Sequence, residues 1–343
     1  MTWHHRIEDA TGLGRLEYEH HRAGWAQDTY SQSSDRYNYE LMSTSGMVRV
    51  PASSANLGPG FDTLGLALDI HLECRFHIAE KLLISARGRD VSSIPCDETN
   101  LIWQTAVRVG AMQNKEMPPI EMELSNDIPV GKGLGSSAAA LLTGVTIANC
   151  VLDLKWNRHR ILDVAAKLEG HPDNVAAAVL GSFVAATIGS EGRTNAIRID
   201  FPTGFRVAVL CPDYELDTEH MRSFLPDSYS KEDTVFNLQR ATLLVAALAA
   251  GNTDVFPECL RDRLHQPYRS SSIPGMESIL ALRAPGLLGC ALSGAGPALV
   301  VFYEDGSETV VDLVQQQFSS IGRNSEIFLS HIDQTGLQIE TND

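Results

Sequence analysis

Residues 127–140 read Asp-Ile-Pro-Val-Gly-Lys-Gly-Leu-Gly-Ser-Ser-Ala-Ala-Ala and hold the strongest chemical signal in the chain. Gly131, Gly133 and Gly135 alternate, Ser136 and Ser137 follow, and an Ala/Leu run then starts a helix. Glycine lets a backbone turn through positive φ and lets a ligand come close. A helix N-terminus adds unpaired N–H groups and a partial positive charge. Together they make a cradle for an anion, most often phosphate. The stretch is not a Walker A loop. Asn126 stands where the first glycine of that motif falls, and Gly133 where its Ser/Thr falls.

Three further stretches carry polar groups in turn-rich settings. Residues 53–62, Ser-Ser-Ala-Asn-Leu-Gly-Pro-Gly-Phe-Asp, are dense in turn formers. Asn56 and Asp62 there are either turn caps or polar fingers for a ligand. Residues 169–174 read Glu-Gly-His-Pro-Asp-Asn. Gly170 suits a helix end and Pro172 the first turn of a new helix. Glu169, His171, Asp173 and Asn174 therefore gather at one helix junction, as caps or as catalytic groups. Residues 293–297, Ser-Gly-Ala-Gly-Pro, suit a hairpin turn between two apolar runs.

The elements that position these stretches follow from periodicity. Alternation predicts strands over 47–52, 64–70, 72–78, 120–124, 182–188, 196–199, 205–210, 289–292, 298–303 and 326–330. Helical spacing predicts helices over 99–112, with Thr99 or Asn100 as cap, and over 137–152, 158–168 and 175–180. Further helices are expected at 216–222, 237–250, 254–264 and 308–319, with everything after 330 as tail. The helix over 137–152 is apolar nearly all round, so it belongs in the core.

Bulk properties bound the function. The chain has 343 residues, 43% of them hydrophobic and 20% charged, as expected of a soluble globular protein. A formal charge of −16 disfavours nucleic acid and anionic lipid as partners. The six cysteines are scattered without zinc spacing, which suggests reduced thiols and a cytoplasmic location. No apolar run reaches the ~18 residues of a membrane span. Residues 1–46 are acidic, poor in aliphatics and contain two His-His pairs; a disordered or loosely docked extension is expected there.

Taken in order, these loops resemble the motifs of the GHMP small-molecule kinases. Residues 51–62 resemble the first motif in its homoserine kinase form, 129–140 the second, or phosphate, motif, and 292–297 the third. Residues 169–176 are also similar to homoserine kinases. The resemblance covers about 47–332 and implies an α+β, two-domain GHMP kinase fold. Its parts would be a ribosomal S5 domain 2-like N-terminal ATP-binding domain over 47–204 and a ferredoxin-like C-terminal domain over 205–343. It implies ATP- and Mg²⁺-dependent phosphorylation of the L-homoserine hydroxyl by a homodimer. Competing possibilities are a GHMP kinase for another small hydroxy amino acid and a non-catalytic ligand-binding member of the fold.

Carried over by position, ATP would be held by Pro129, Val130, Gly131, Lys132, Gly133, Leu134, Gly135, Ser136, Ser137, Ala138 and Ala139, with Asn100 near the base. Ser137 and Glu169 would hold Mg²⁺. The amino acid would meet Asn56, Asp62, His171, Asp173, Thr218, Arg222, Arg269, Ser293 and Gly294. Asn174 stands where mevalonate-type relatives place an aspartate base. Ser137, Glu169 and Asn174 are thus the expected catalytic groups, with no dedicated base.

Overall fold

The computed structural model describes residues 43–252 and 254–342. The expected loose extension, apart from its last four residues, lies outside the described residues. The first sheet contains β1 (Ser45–Ala55), β2 (Leu64–Ile78), β3 (Leu83–Gly88), β4 (Ile120–Asn126), β5 (Phe183–Ile188) and β6 (Thr194–Ile199). β1 and β2 form an antiparallel pair joined through the first polar loop. β4 lies against β2, and β3 runs parallel to β4. A parallel neighbour needs a crossover, here supplied by α1 (Leu101–Met112) between β3 and β4.

The helices follow from their sequences. Asn100 caps α1, its side chain accepting from the Ile102 N–H at 2.9 Å. In α2 (Ser136–Val151) every residue from Ala138 onward except Ala140 is buried, as its uniform apolarity requires. α3 (Arg158–Glu169) starts on an Asn157 cap and ends on Gly170 at φ 93°. α4 (Asp173–Leu180) follows, with Pro172 as its N-cap.

The second sheet holds β7 (Phe205–Pro212), β8 (Leu287–Leu292), β9 (Leu299–Glu304) and β10 (Ser325–Ser330) in the order β10-β7-β9-β8. That is the 4-1-3-2 order of a ferredoxin-like sheet. Between β7 and β8 lie α5 (Thr218–Ser223), α6 (Lys231–Ala250), α7 (Phe256–Cys259), α8 (Gln266–Arg269) and α9 (Met276–Leu280); α10 (Thr309–Ser320) joins β9 to β10. One apolar core runs through both sheets, from Val48, Leu66 and Leu124 to Val207, Val300 and Phe302. A second cluster, including Leu210, Met221 and Phe318, lies under α10. Burial of each such aliphatic side chain stabilises by about 1.5–3 kcal/mol.

The structure corrects several sequence expectations. β1 begins two residues before Met47 and continues through Ala55, where a loop was expected. β2 is one strand rather than two, because a register shift between Pro51 and Ala52 absorbs the irregularity near His71. β3 has an exposed face and was not anticipated. The helix expected over 254–264 is a single turn. Beyond it the Asp262 carboxylate accepts from the N–H groups of Leu264, His265 and Gln266 and holds a turn instead. The expected tail contains β11 (Gln338–Thr341), which pairs with β1, Met47 opposite Glu340. Four half-polar residues give no periodic signal. Among the described residues no helix is long and apolar enough to cross a membrane, and all six cysteines are free thiols.

Candidate active site

The first, second and third glycine loops interlock. Ser53 N–H donates to the Leu134 carbonyl at 3.0 Å, and the Gly294 N–H to the Ala55 carbonyl at 3.0 Å. Ser293 Oγ donates to the Gly133 carbonyl at 2.8 Å and lies 2.8 Å from Ser54 Oγ. Gly133 has φ 81°, and a Cβ there would overlap the Ser293 carbonyl. Backbone freedom and close approach both require glycine at that position.

These loops border one cleft. One part of its lining is the backbone from Gly131 to Ser137. Gly135, at φ 68°, is the N-cap of α2 and provides no capping side chain, and the first turn carries no acid. The orphan N–H groups of a long helix are thus left to whatever enters the cleft. The other part is charged: Asp62, Glu169, His171, Asp173, Arg222 and Arg269 all line it, with Asn56, Thr218, Asn174 and Gly294.

Each of these side chains has a structural cause for its place. Asn56 and Asp62 sit at positive φ, 71° and 52°, in the β1–β2 loop. The Asn56 carbonyl oxygen accepts from the Asp62 N–H at 3.0 Å, and its amide donates to the Gly294 carbonyl at 2.9 Å. Asx residues tolerate this conformation because the side chain bonds locally. Arg222, on the last turn of α5, forks onto Asp62 with 2.6 and 3.0 Å bonds. Arg269 is nearly fully buried; Nη1 donates to the Gly294 carbonyl and contacts His265 Nδ1, each at 3.1 Å. Burial lowers its guanidinium to about 10, with Arg222 adding in the same direction.

At the helix junction, His171 Nδ1 and Asp173 Oδ1 are 2.7 Å apart, and the same oxygen accepts the Asn174 N–H at 2.8 Å. Burial works against the imidazolium of His171, but the hydrogen bond and charge of Asp173, with Glu169 and Asp62, raise its pKa above the usual value. Burial raises the Glu169 carboxyl, opposed by His171 and Arg222. Asp62, His171 and Asp173 are close enough to share a cation. Their inner bonds, to Arg222 and to each other, already engage them. Glu169 differs: its carboxylate faces the cleft and has no hydrogen bond or ion pair among the described residues. Ser137 lies in the first turn of α2 on the same cleft. A carboxylate without a hydrogen bond and a hydroxyl, both lining one cleft, are oxygen ligands of the kind a hard cation takes.

Several sequence-predicted residues are not part of the lining. Pro129 and Val130 precede it; the Val130 N–H is held by Asp90 at 2.9 Å. Ala138 and Ala139 are buried in α2. Ser293 is fully buried and fastens loops together. Asn100, expected near a base, is committed as the α1 cap and donates to the Pro95 carbonyl. The cap engages its Oδ1 and the Pro95 carbonyl its Nδ2, so both ends of the amide are taken. Neither Phe61 nor His265 lines the cleft or carries a sequence expectation, yet both pack against its arginines. The Phe61 ring lies 5.4 Å from the Arg222 guanidinium, 5.5 Å from that of Arg269, and stacks on His265 at 5.4 Å. An aromatic inside a glycine loop was the available signal for Phe61. Nothing local marks His265.

Comparison with known proteins agrees with this geometry. The model of the GHMP kinase N-terminal domain matches residues 100–182, and that of the GHMP kinase C-terminal domain matches 244–320. A homoserine kinase of Solibacter usitatus is 56% identical over 292 residues, covering 85% of this chain and 96% of the relative. The chain belongs to the homoserine kinase family. A homoserine kinase of Deinococcus radiodurans is 38% identical over 296 residues, covering 85% of this chain and 96% of the relative. Among solved structures, the homoserine kinase of Cytophaga hutchinsonii superposes with a TM-score of 0.76 at 28% identity, covering 88% of this chain and 99% of that one. A galactokinase of Lactococcus lactis shares the fold alone, with a TM-score of 0.64 at 12% identity over 89% of this chain and 97% of that one. The GHMP kinase fold of the homoserine kinase family therefore supplies both sheets described above. In this member of the family the interlocked loops bring Asn56, Asp62, Glu169, Asn174 and the two arginines to one cleft.

Proposed function

We propose that the chain transfers the γ-phosphoryl group of ATP to the side-chain hydroxyl of L-homoserine, giving O-phospho-L-homoserine and ADP. The observation that carries this is one cleft lined both by an uncapped, acid-free helix N-terminus and by a carboxylate–arginine fork. The first feature suits a polyphosphate. The second suits a zwitterionic amino acid: Asp62 for the ammonium, Arg222 and Arg269 for the carboxylate. Gly131 to Ser137 would cradle the phosphates, and Ser137 with Glu169 would hold Mg²⁺. The metal would neutralise charge on the phosphate oxygens. Phosphoryl transfer is mostly positioning and charge stabilisation. Asn174 therefore acts as an orienting amide rather than as a base: the new P–O bond forms as the bond from the γ-phosphorus to the ADP oxygen breaks, and the hydroxyl proton passes to an oxygen of the transferring phosphoryl group. The chain works as a cytoplasmic homodimer without nucleic-acid or membrane partners, consistent with its charge of −16.

The test is a coupled ADP-release assay on the full chain with homoserine, threonine and serine, with and without Mg²⁺. The highest kcat/KM is expected for homoserine, with no turnover without the metal. Preference for another hydroxy amino acid would replace the substrate while keeping the kinase. Absence of ADP release with every acceptor would refute the proposal. Light scattering on the same sample checks the dimer.

A further inference from the structure

Ser53 carries a hydroxyl beside the backbone N–H that ties it to Leu134. It lies near the end of β1 and is fully buried. Its Oγ donates to Asn174 Oδ1 at 2.9 Å. The opposite orientation of the Asn174 amide would aim Nδ2 at Ser53, whose buried hydroxyl proton has no other acceptor among the described residues. An unmatched buried donor is costly, so the bond selects one orientation. With Oδ1 turned to Ser53, Asn174 offers the cleft a donor. Nδ2 has no hydrogen-bond partner among the described residues, and Asn174 lines the cleft beside Gly135 and Ser137. Gly135 leaves room for the pair: a Cβ there would overlap Ser53 Oγ and lie 3.1 Å from Asn174 Oδ1.

We propose that Ser53 is a positioning residue for phosphoryl transfer. Its hydroxyl locks the Asn174 side chain so that nitrogen, and never oxygen, faces the transferring group. This rests on the homoserine kinase function proposed above. The transferring phosphoryl carries its charge on its equatorial oxygens. An N–H aimed there stabilises that charge, whereas a carbonyl oxygen in the same place repels it. Asn174 is the group that meets the substrate, and Ser53 acts only through it.

The experiment is a double-mutant cycle on the full chain with Ser53→Ala, Asn174→Ala and the double variant, read by steady-state ADP release. Asn174→Ala should lower kcat by roughly 100-fold, where the cost of a charge-assisted bond and that of one donor to a developing anion meet. Ser53→Ala should lower kcat by roughly tenfold, the cost of one lost orienting hydrogen bond, with both KM values within about twofold. In the Asn174→Ala background, Ser53→Ala should cost nothing more. A merely structural Ser53 would give the same loss in both backgrounds, and that additive result would overturn the proposal. So would full activity of Ser53→Ala. Thermal unfolding of the same four proteins reads the bond without substrate and should also be non-additive; additive melting would overturn the bond itself. A wild-type protein inactive on homoserine would instead overturn the function on which the assignment rests.

Discussion

Asp62 and Arg222 neutralise each other across the cleft, although the proposed substrate needs both. Asp62→Asn separates their two roles. The pair is bidentate, but the side chains of Arg222 and Asp62 are 37% and 34% exposed, so water screens it. Such pairs are worth about 0.2–1 kcal/mol, and the fold should lose no more than that. Loss of a charge-assisted bond to the substrate ammonium costs more, about 1.5–3 kcal/mol. At about 1.4 kcal/mol per factor of ten, the KM for homoserine should rise by about 10- to 150-fold. Freeing Arg222 acts in the other direction, by about 1.4- to 5-fold, and does not cancel the loss. The two effects come apart with 4-hydroxybutanoate, which keeps the carboxylate and hydroxyl but lacks the amine. It loses nothing to the substitution and gains the released arginine. Its inhibition constant should therefore fall in Asp62→Asn while the KM for homoserine rises. An unchanged KM for homoserine, or a shift of both ligands in the same direction, would refute the assignment of Asp62 to the ammonium.

Three other perturbations test other parts of the cleft. Asn174→Asp places an acceptor-only anion where a donor is inferred, so kcat should fall by about 100-fold or more; a rise measured by ADP release would restore a base mechanism. Burial holds the Glu169 carboxyl above its ordinary value. A raised carboxyl keeps its proton to higher pH in the folded state than in the unfolded state, so ionisation on raising the pH destabilises the empty protein. Bound Mg²⁺ would compete with that proton. The apparent KM for Mg²⁺ should rise as pH falls from about 7 to about 5, and Glu169→Gln should show a high, pH-independent value; a wild-type KM flat with pH would place the metal elsewhere. Gly135→Ala forces a side chain into φ 68° and onto Ser53 Oγ. Left-handed strain and overpacking together should cost about 2–4 kcal/mol in denaturant unfolding, and a variant as stable as wild type would contradict the packing of that loop.

What was legible in the sequence was what is local. The glycine spacing before an apolar run specified the loop and the start of α2 to within a residue, and Gly170-x-Pro172 specified the break between α3 and α4, because such signals act within a few residues. The helix over 254–264 failed for the same reason in reverse. Its apolar spacing was helical, but after Leu260 the N–H groups go elsewhere: that of Arg261 to the Glu258 carbonyl, that of Arg263 to the Asn237 side chain and that of Leu264 to the Asp262 side chain. β11 was missed because a four-residue strand at a sheet edge owes its existence to its partner, β1, and not to its own pattern.

Site residues divide along the same line. Asp62, Arg222 and Arg269 were named one by one from motif position, yet no spacing could show that the first two are paired. They are 160 residues apart, and their contact requires α5 to lie over the β1–β2 loop. Phe61 and His265 show how that contact is held. The ring of Phe61 lies near both guanidiniums, and His265, buried and with its pKa lowered by desolvation, stacks on it while meeting Arg269 through Nδ1. His265 also lies 2.7 Å from the Gly58 carbonyl through Nε2. With Nδ1 accepting from Arg269, Nε2 must carry the proton and donate to that carbonyl, which leaves a neutral ring with one tautomer. A neutral histidine is what this place requires: an imidazolium would put a third positive charge among Arg222 and Arg269 and remove the acceptor that orients Arg269. The placement of Arg269 therefore depends on a residue outside the cleft lining, in a segment whose sequence predicts only a loop.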